Sequence, residues 1–519
     1  MRNEAFLNTA LACLPTPKEK LVPAVRCLRF MREKDGIRAE EAERKPLKKG
    51  DKLCLDFGDH QVGYLSLKLG SVGSHPDAPA WIRLQFAEQP AELFERAEDY
   101  RGWISTGWIQ TEQLHVDLLP CTLRLPRRYA FRYVQLEVLD VSSKYCLTVE
   151  NAVCTAVSSA EDAGLTPLRS GDALLDRMDA VACRTLHNCM QRVFEDGPKR
   201  DRRLWLGDLR LQALANYRSY QELDMVKGCL YLFAALPRED GLLSAAIFLE
   251  PEPEADDTYL PDYSLLFVPA LLDYYEASGD SETLRELWPT ALRQLELADE
   301  RLRDGVFPDS ERLGWCFIDW SLELNKQAAL MGVYLYCLRA GERIAALLSD
   351  PVRDDLHARR DEGFLAARAR FWDERAGCFV SGEARQLSWA SQIWMILGGV
   401  LPRAEAAALL DRMEQTEAVG MVTPYLYHHY VQALLQIGEG DKALAVLRQY
   451  WGGMLEAGAD TFWELYNPEN PEESPYGGTV VNSYCHAWSC GPAYFLRKYG
   501  SDLEGAPECP TRARAETEN

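Results

Sequence analysis

The chain has 519 residues, 47% of them hydrophobic and 26% charged, with a formal net charge of -22 at pH 7. That composition is one of a folded protein and excludes extensive disorder, while the length calls for more than one domain. The acidity excludes a nucleic-acid partner, whose phosphates demand a basic footprint, disfavours an anionic membrane surface, and suits a neutral small molecule or sugar.

The first forty or so residues show no clear period. MRNEAFLNTALACLPTPKEK has no basic segment followed by a sustained apolar core, so no secretory signal is read there, and no run of eighteen apolar residues marks a membrane span. The fifteen cysteines are scattered from Cys13 to Cys509 without a CxxC pair. Several, such as Cys183, Cys229 and Cys337, sit in apolar helical patterns, which reads as reduced thiols in a cytoplasmic protein.

From about residue 50 a period of two takes over. Leu53, Leu55 and Phe57 share one face, as do Leu65, Leu67 and Leu69, then Ile82, Leu84 and Phe86, then Val134, Leu136 and Val138. Short alternating runs separated by Gly, Pro and Asp turns predict an antiparallel β-sandwich over residues 1–165.

Beyond residue 170 the period becomes 3.6. In SETLRELWPTALRQLELADERL, Leu284, Leu287, Trp288, Ala291, Leu292 and Leu295 form one stripe. About twelve such segments follow one another, at 172–191, 205–221, 224–236, 263–277, 281–303, 321–348, 353–373, 387–399, 403–415, 424–437, 441–456 and 482–499. Several end at a glycine, as at Gly279 and Gly438. No strands alternate with them, which disfavours a TIM barrel. Twelve helices paired as six hairpins predict a closed (α/α)6 barrel over 166–500, with apolar inner helices, amphipathic outer ones and functional groups in the loops at one mouth. Residues 501–519 read as a flexible tail. A homodimer through the sandwich face is the expected assembly.

Two loops concentrate chemistry. FEDGPKRDRRLWLGD, residues 194–208, sets three aspartates and four cations beside Trp205, just before a helix whose first turn contains Asp208 and so meets the positive dipole end. It is either a solvated turn with a capping aspartate or the floor of a polar pocket. GADTFWELYNPENP, residues 458–471, puts Glu464 after Phe462 and Trp463 at a helix end, and NSYCHAWSCGPAYF adds His486 and Trp488. Carboxylates beside indoles suit sugar chemistry, in which hydrolysis needs one protonated acid and one ionised base. His428 and His429 read as structural. No His/Cys/Asp set has metal-ligand spacing and no phosphate loop appears, so neither metal nor cofactor is expected.

DGPKRDRRLWLGD, PDYSLLFVPALLDYY, FIDWS, YWGGMLEAGADTFWE and NSYCHAWSCGPAYFL, in that order, resemble the catalytic domain of glycoside hydrolase family 78, the α-L-rhamnosidases, and the alternating N-terminal region is similar to the sandwich that precedes it there. The resemblance implies an inverting six-hairpin glycosidase that releases terminal α-L-rhamnose from a small glycoside or oligosaccharide without a metal. It implies Asp201 as general acid and Glu464 as general base. It implies Asp196, Arg200, Trp205, Asp208, His486 and Trp488 as pocket residues with Trp463 beside them, and Asp262, Tyr263, Asp319 and Trp320 less sharply. Many family members carry a glutamate acid where this chain has Arg202, and their spacing to the tryptophan is one residue longer. The branch of short chains that lacks this glutamate places the acid at Asp201, with Asp196 and Asp208 as alternatives and Arg202 expected to point away. A hydrolase or lyase acting on another deoxy-sugar or a uronate, or a non-catalytic sugar binder, remains the competing reading.

Overall fold

A computed structural model describes residues 2–34, 36–309 and 314–503. The tail expected over 501–519 lies outside the described residues from 504 onward.

The N-terminal part is one antiparallel sheet of nine strands: β1 (Lys18–Pro23), β2 (Arg26–Glu33), β3 (Gly36–Glu41), β4 (Lys52–Gly73), β5 (Ala80–Ala87), β6 (Thr111–Val116), β7 (Cys121–Arg124), β8 (Tyr129–Asp140) and β9 (Tyr145–Ser158). The order is β1-β9-β4-β8-β5-β6, with β2 and β7 also on β4 and β3 on β2. The 22-residue β4 is the spine. Its register with β8 shifts between Asp56 and Gln61. Such an irregularity bends a strand and increases its twist, and here the first half of β4 meets β2 and the second half β9 and β7. All twelve residues of the four alternating runs lie in one buried core, because alternation puts every second side chain on the same face.

The helical part contains twelve helices among the described residues, and burial alternates along the chain. All residues of Leu206–Asn216 and almost all of Trp389–Gly398 are buried, whereas Val352–Phe371 buries four residues and Arg403–Met413 four. Apolar-all-round helices can only be central and striped ones peripheral. The helix Gly491–Leu503 packs on Ala173–Cys189 and on Leu206–Asn216, so the last helix meets the first two.

One helix breaks the alternation for a visible reason. Leu223–Ala235 is buried almost throughout because the first helix of the chain, Glu4–Cys13, lies over it and adds Leu7 and Ala10 to the helical core. Asn3 caps that helix, accepting from Phe6 N at 3.2 Å. The segment 482–499, expected to be one helix, is helical only from Gly491. Residues 482–490 form a loop with a single short turn at Ala487–Ser489, fixed by hydrogen bonds to the chain around residues 462 and 196.

Candidate active site

The loop between helices Ala173–Cys189 and Leu206–Asn216 is closed on itself. Arg203 N donates to Asp196 Oδ1 and Asp196 N to Arg203 O, each at 3.0 Å. Inside that closure Asp201 and Arg202 take left-handed φ values of 61° and 54°. For residues other than glycine this costs on the order of 1 kcal/mol each and persists only where the surroundings over-determine it. The kink turns neighbouring side chains apart. Asp201 faces a cavity, whereas Arg202 donates to Pro198 O at 2.8 Å and Arg128 O at 2.9 Å.

The next helix starts under tight constraint. A Cβ on Gly207 would stand 2.4 Å from Tyr263 Cζ and 2.5 Å from Cε1, so glycine lets this helix press on Pro261–Ser278. Tyr263 OH then donates to Asp208 Oδ2 at 3.4 Å, and His486 Nε2 lies 3.1 Å from Asp208 Oδ1.

Glu464 arrives from the other end of the chain. It lies in the loop beyond helix Gly440–Glu456, not at a helix end as its position after two aromatics suggested. Its N–H donates to Ser483 O at 3.0 Å, and Trp488 Nε1 donates to its carbonyl at 3.0 Å. Its carboxylate accepts from Arg200 Nη2 and, at 2.5 Å, from Tyr476 OH. Arg200 Nη1 also lies 3.8 Å from Asp201 Oδ1. One guanidinium therefore spans the two carboxylates.

The surroundings push the acids in opposite directions. Burial, together with the charges of Asp201 and Asp208, holds the Asp196 carboxyl well above the usual aspartate range. Burial likewise raises Asp208, with His486 opposing. Burial works upward on Glu464 too, but Arg200, His486 and the Tyr476 hydroxyl outweigh it and hold that carboxyl below the usual glutamate value. Acids pushed apart in this way are what acid–base chemistry requires.

The cavity has a volume of about 280 Å³. It brings together Asp196, Arg200, Asp201, Trp205, Asp208, Tyr263, Trp320, Glu464, His486 and Trp488. Three expected residues do not reach it. Asp262 spends its carboxylate on Phe317 N at 3.2 Å and Ile318 N at 2.8 Å, fixing the turn that presents Phe317 to the cavity. Asp319 accepts from Val422 N, Thr423 N and Thr423 Oγ1, tying the same loop to the start of helix Pro424–Ile437. Trp463 is buried against Tyr466 and Tyr484. His428 and His429 are fully buried, and burial lowers both, helped at His428 by His429 and then Arg210 and at His429 by Arg210, which leaves His429 at about 3.

Other wall residues escaped the sequence reading. Tyr476, Phe317 and Trp315 come from the helical part, and Trp103 and Ile104 from a loop of the sheet part. Phe317 opens FIDWS itself and Trp315 stands two residues before it, so both could have been suspected from that motif. Tyr476 and Trp103 lie in irregular loops, where nothing periodic marks them. Among the described residues no group of three or more His, Cys, Asp or Glu could hold a metal ion, and no helix is long and apolar enough to cross a membrane.

The model of the glycosyl hydrolase family 78 alpha-rhamnosidase N-terminal domain matches residues 21–156, and that of the bacterial alpha-L-rhamnosidase 6 hairpin glycosidase domain matches residues 165–499. The chain belongs to glycoside hydrolase family 78. A rhamnosidase from Klebsiella oxytoca with rhamnose bound is 46% identical, with a TM-score of 0.94 over 96% of this chain and 99% of that one. The family 78 rhamnosidase of Bacillus sp. GL1 is 22% identical, with a TM-score of 0.72 over 95% of this chain and 48% of that one. The α-L-rhamnosidase of Streptomyces avermitilis complexed with L-rhamnose is 17% identical, with a TM-score of 0.64 over 93% and 43%. These last two share the fold, and this chain spans less than half of their length. No curated protein matches the chain.

Proposed function

We propose that this family 78 chain is an inverting α-L-rhamnosidase. Asp201 protonates the glycosidic oxygen as the bond to the anomeric carbon breaks. Glu464 takes a proton from the water that attacks that carbon from the opposite face, and β-L-rhamnose leaves with the free alcohol. The observation that carries the reading is the Arg200 guanidinium reaching both carboxylates across one cavity. It keeps the two acids no farther apart than the roughly 6.5–9.5 Å that admits a water between them. Ionised Glu464, held low by its partners, suits a base.

Asp201 is preferred as the acid because its side chain is 26% exposed and faces the cavity. Asp196 is the second reading, favoured by its strongly raised carboxyl. Among the described residues, Trp320 Nε1 and His486 Nδ1 are buried without hydrogen-bond partners, which suits contacts to sugar hydroxyls, while Trp205, Phe317 and Trp488 offer apolar wall to the 6-methyl group. Arg200 and Arg203, the arginines lining the cavity, are both paired, with Glu464 and Asp256, which speaks against a uronate ligand. The inner and outer alternation of helices, with the last against the first, supports an (α/α)6 barrel, and the inner faces of the sheet support a sandwich. None of the described cysteines is in a disulfide, which supports a reducing, cytoplasmic setting. A homodimer completes the reading and is checked by sedimentation.

The test is an anomer-resolved NMR time course on an aryl α-L-rhamnoside. β-L-Rhamnose appearing first, and disappearing with Glu464→Gln, is expected. First release of the α-anomer overturns the inverting mechanism, and full activity in the variant overturns the base.

A further inference from the structure

The sheet part does more than sit beside the helices. Residues 88–95, which follow β5, carry three glutamates that all point into the loops of the candidate site. Glu92 accepts from Lys199 Nζ, and Lys199, 1% exposed, also donates to Asn482 O at 2.7 Å. Glu88 stands 3.7 Å from the same ammonium and accepts from Tyr484 N at 2.7 Å. Glu95 accepts from Thr479 N at 2.6 Å, Thr479 Oγ1 at 2.7 Å and Val480 N at 3.2 Å.

The geometry of this knot is over-determined. Glu92 Oε1 accepts from Glu88 N and Gln89 N at 2.8 and 2.9 Å. His60 Nε2 meets Glu88 Oε1 at 2.8 Å, and Asn188 Nδ2 donates to the His60 carbonyl at 3.1 Å. Glu88, Glu92 and Lys199 are all buried. Burying an ammonium and two carboxylates is expensive and seldom a net source of stability. Such a knot is better suited to fixing one arrangement, provided its members are satisfied.

What it fixes is specific. Lys199 is two residues from Asp201 in the acid loop. Residues 479–484 belong to the loop whose Tyr476 hydroxyl and Ser483 carbonyl hold Glu464. We propose that Glu88, Glu92 and Lys199 are positioning residues of the hydrolytic reaction, through which the sheet domain sets the acid loop and the base loop in register across the cavity. This rests on the hydrolase reading above.

The experiment compares full-length wild type with Glu92→Gln, Lys199→Met and Glu88→Gln. It measures kcat and KM on p-nitrophenyl and methyl α-L-rhamnoside well below the Tm of each variant. Arg497→Met serves as control. It breaks a pair with Asp179, whose bonds of 2.6 and 2.7 Å lie in the helical part away from these loops. Mispositioned catalytic groups cost kcat steeply, so a roughly 10–100-fold fall in kcat is expected, with KM changed by less than about threefold. The loss should be larger for the methyl glycoside, whose poor leaving group needs the acid most, whereas Arg497→Met lowers Tm and keeps kcat. Should Lys199→Met not fold, the isosteric Glu88→Gln gives the same reading. Variants that match the wild-type kcat on both substrates while losing only Tm overturn the proposal. A wild type inactive on both rhamnosides is a different result, and it removes the hydrolase reading together with this one.

Discussion

Arg200 donates to Glu464 from Nη2 while its guanidinium carbon stands 4.2 Å from the ring centre of Tyr476, whose hydroxyl donates to the other oxygen of the same carboxylate. The proposed base is thus gripped by a cation and a phenol that also touch each other.

Loosening that grip should move the pH profile. A base works while ionised, so activity falls as pH drops through its pKa. Arg200 and Tyr476 hold Glu464 below its ordinary range against burial, which acts upward. Tyr476→Phe and Arg200→Met each remove one of these holds, so the acidic limb of kcat/KM should shift to higher pH. Arg200→Met should shift it further, because a charge is lost as well as a hydrogen bond. Profiles of kcat/KM between pH 3 and 8 decide this, and an unmoved acidic limb in both variants contradicts the assignment of that limb to Glu464.

The two candidate acids separate by leaving group. Loss of a general acid costs roughly 10²–10⁴-fold on a substrate whose alkoxide must be protonated, and much less when the leaving phenol is itself acidic. Asp201→Asn should therefore be far more damaging on methyl than on 2,4-dinitrophenyl α-L-rhamnoside. Asp196→Asn should impair both to a similar degree, because Asp196 Oδ1 holds the loop through Arg203 N. If the leaving-group dependence appears in Asp196→Asn and not in Asp201→Asn, the second reading of the acid is the correct one.

The parts of this molecule governed by local periodicity were legible in the sequence. Leu53 to Phe57 and Leu65 to Leu69 alternate because their strands bury one face, and the helix boundaries at Gly279 and Gly438 follow from left-handed caps. The loop of residues 194–208 could be found because charge, proline and indole crowd together in it. Nothing local tells a carboxylate that faces a cavity from one that satisfies backbone N–H groups. Asp262 and Asp319 therefore looked like pocket residues, yet they serve the turn at Phe317–Ile318 and the start of helix Pro424–Ile437. The same limit hid Tyr476 and Trp103. Their place in the wall depends on contacts such as Tyr100 OH to Tyr476 O at 2.7 Å, across 376 residues of chain.

Gly207 should not tolerate a methyl group. An added Cβ would fall within 2.5 Å of ring atoms of Tyr263, and that ring is packed against Trp205, Phe317 and Tyr425, so it can yield only toward the cavity that it lines. Overpacking of this kind costs typically about 1–3 kcal/mol. Because Tyr263 OH reaches Asp208, the displacement should be felt at the Asp208–His486 pair as well. Gly207→Ala is expected to lower both Tm and kcat/KM, and thermal unfolding together with rhamnoside kinetics checks it. A variant with wild-type values in both would mean that the helix start can shift to absorb the methyl group.

Trp103 tests whether the sheet part also shapes binding. The residue is 67% exposed, yet it lines the cavity. Its indole Nε1 donates to Pro475 O at 3.2 Å and its ring stands 5.4 Å from that of Tyr476. An indole pinned at a mouth and left open to solvent can gain apolar burial only when a ligand covers it. Its one N–H is spent on Pro475 O, and an indole carries no group that exchanges a proton near neutral pH. Trp103→Ala should therefore weaken binding of an aryl rhamnoside by about 1–2 kcal/mol, a roughly 5–30-fold rise in KM, with kcat at saturation unchanged. A methyl glycoside leaves most of the ring bare, so its KM should change little. If KM rises equally for both substrates, Trp103 acts on the sugar or on the loop of Tyr476 and does not serve as a platform for the leaving group.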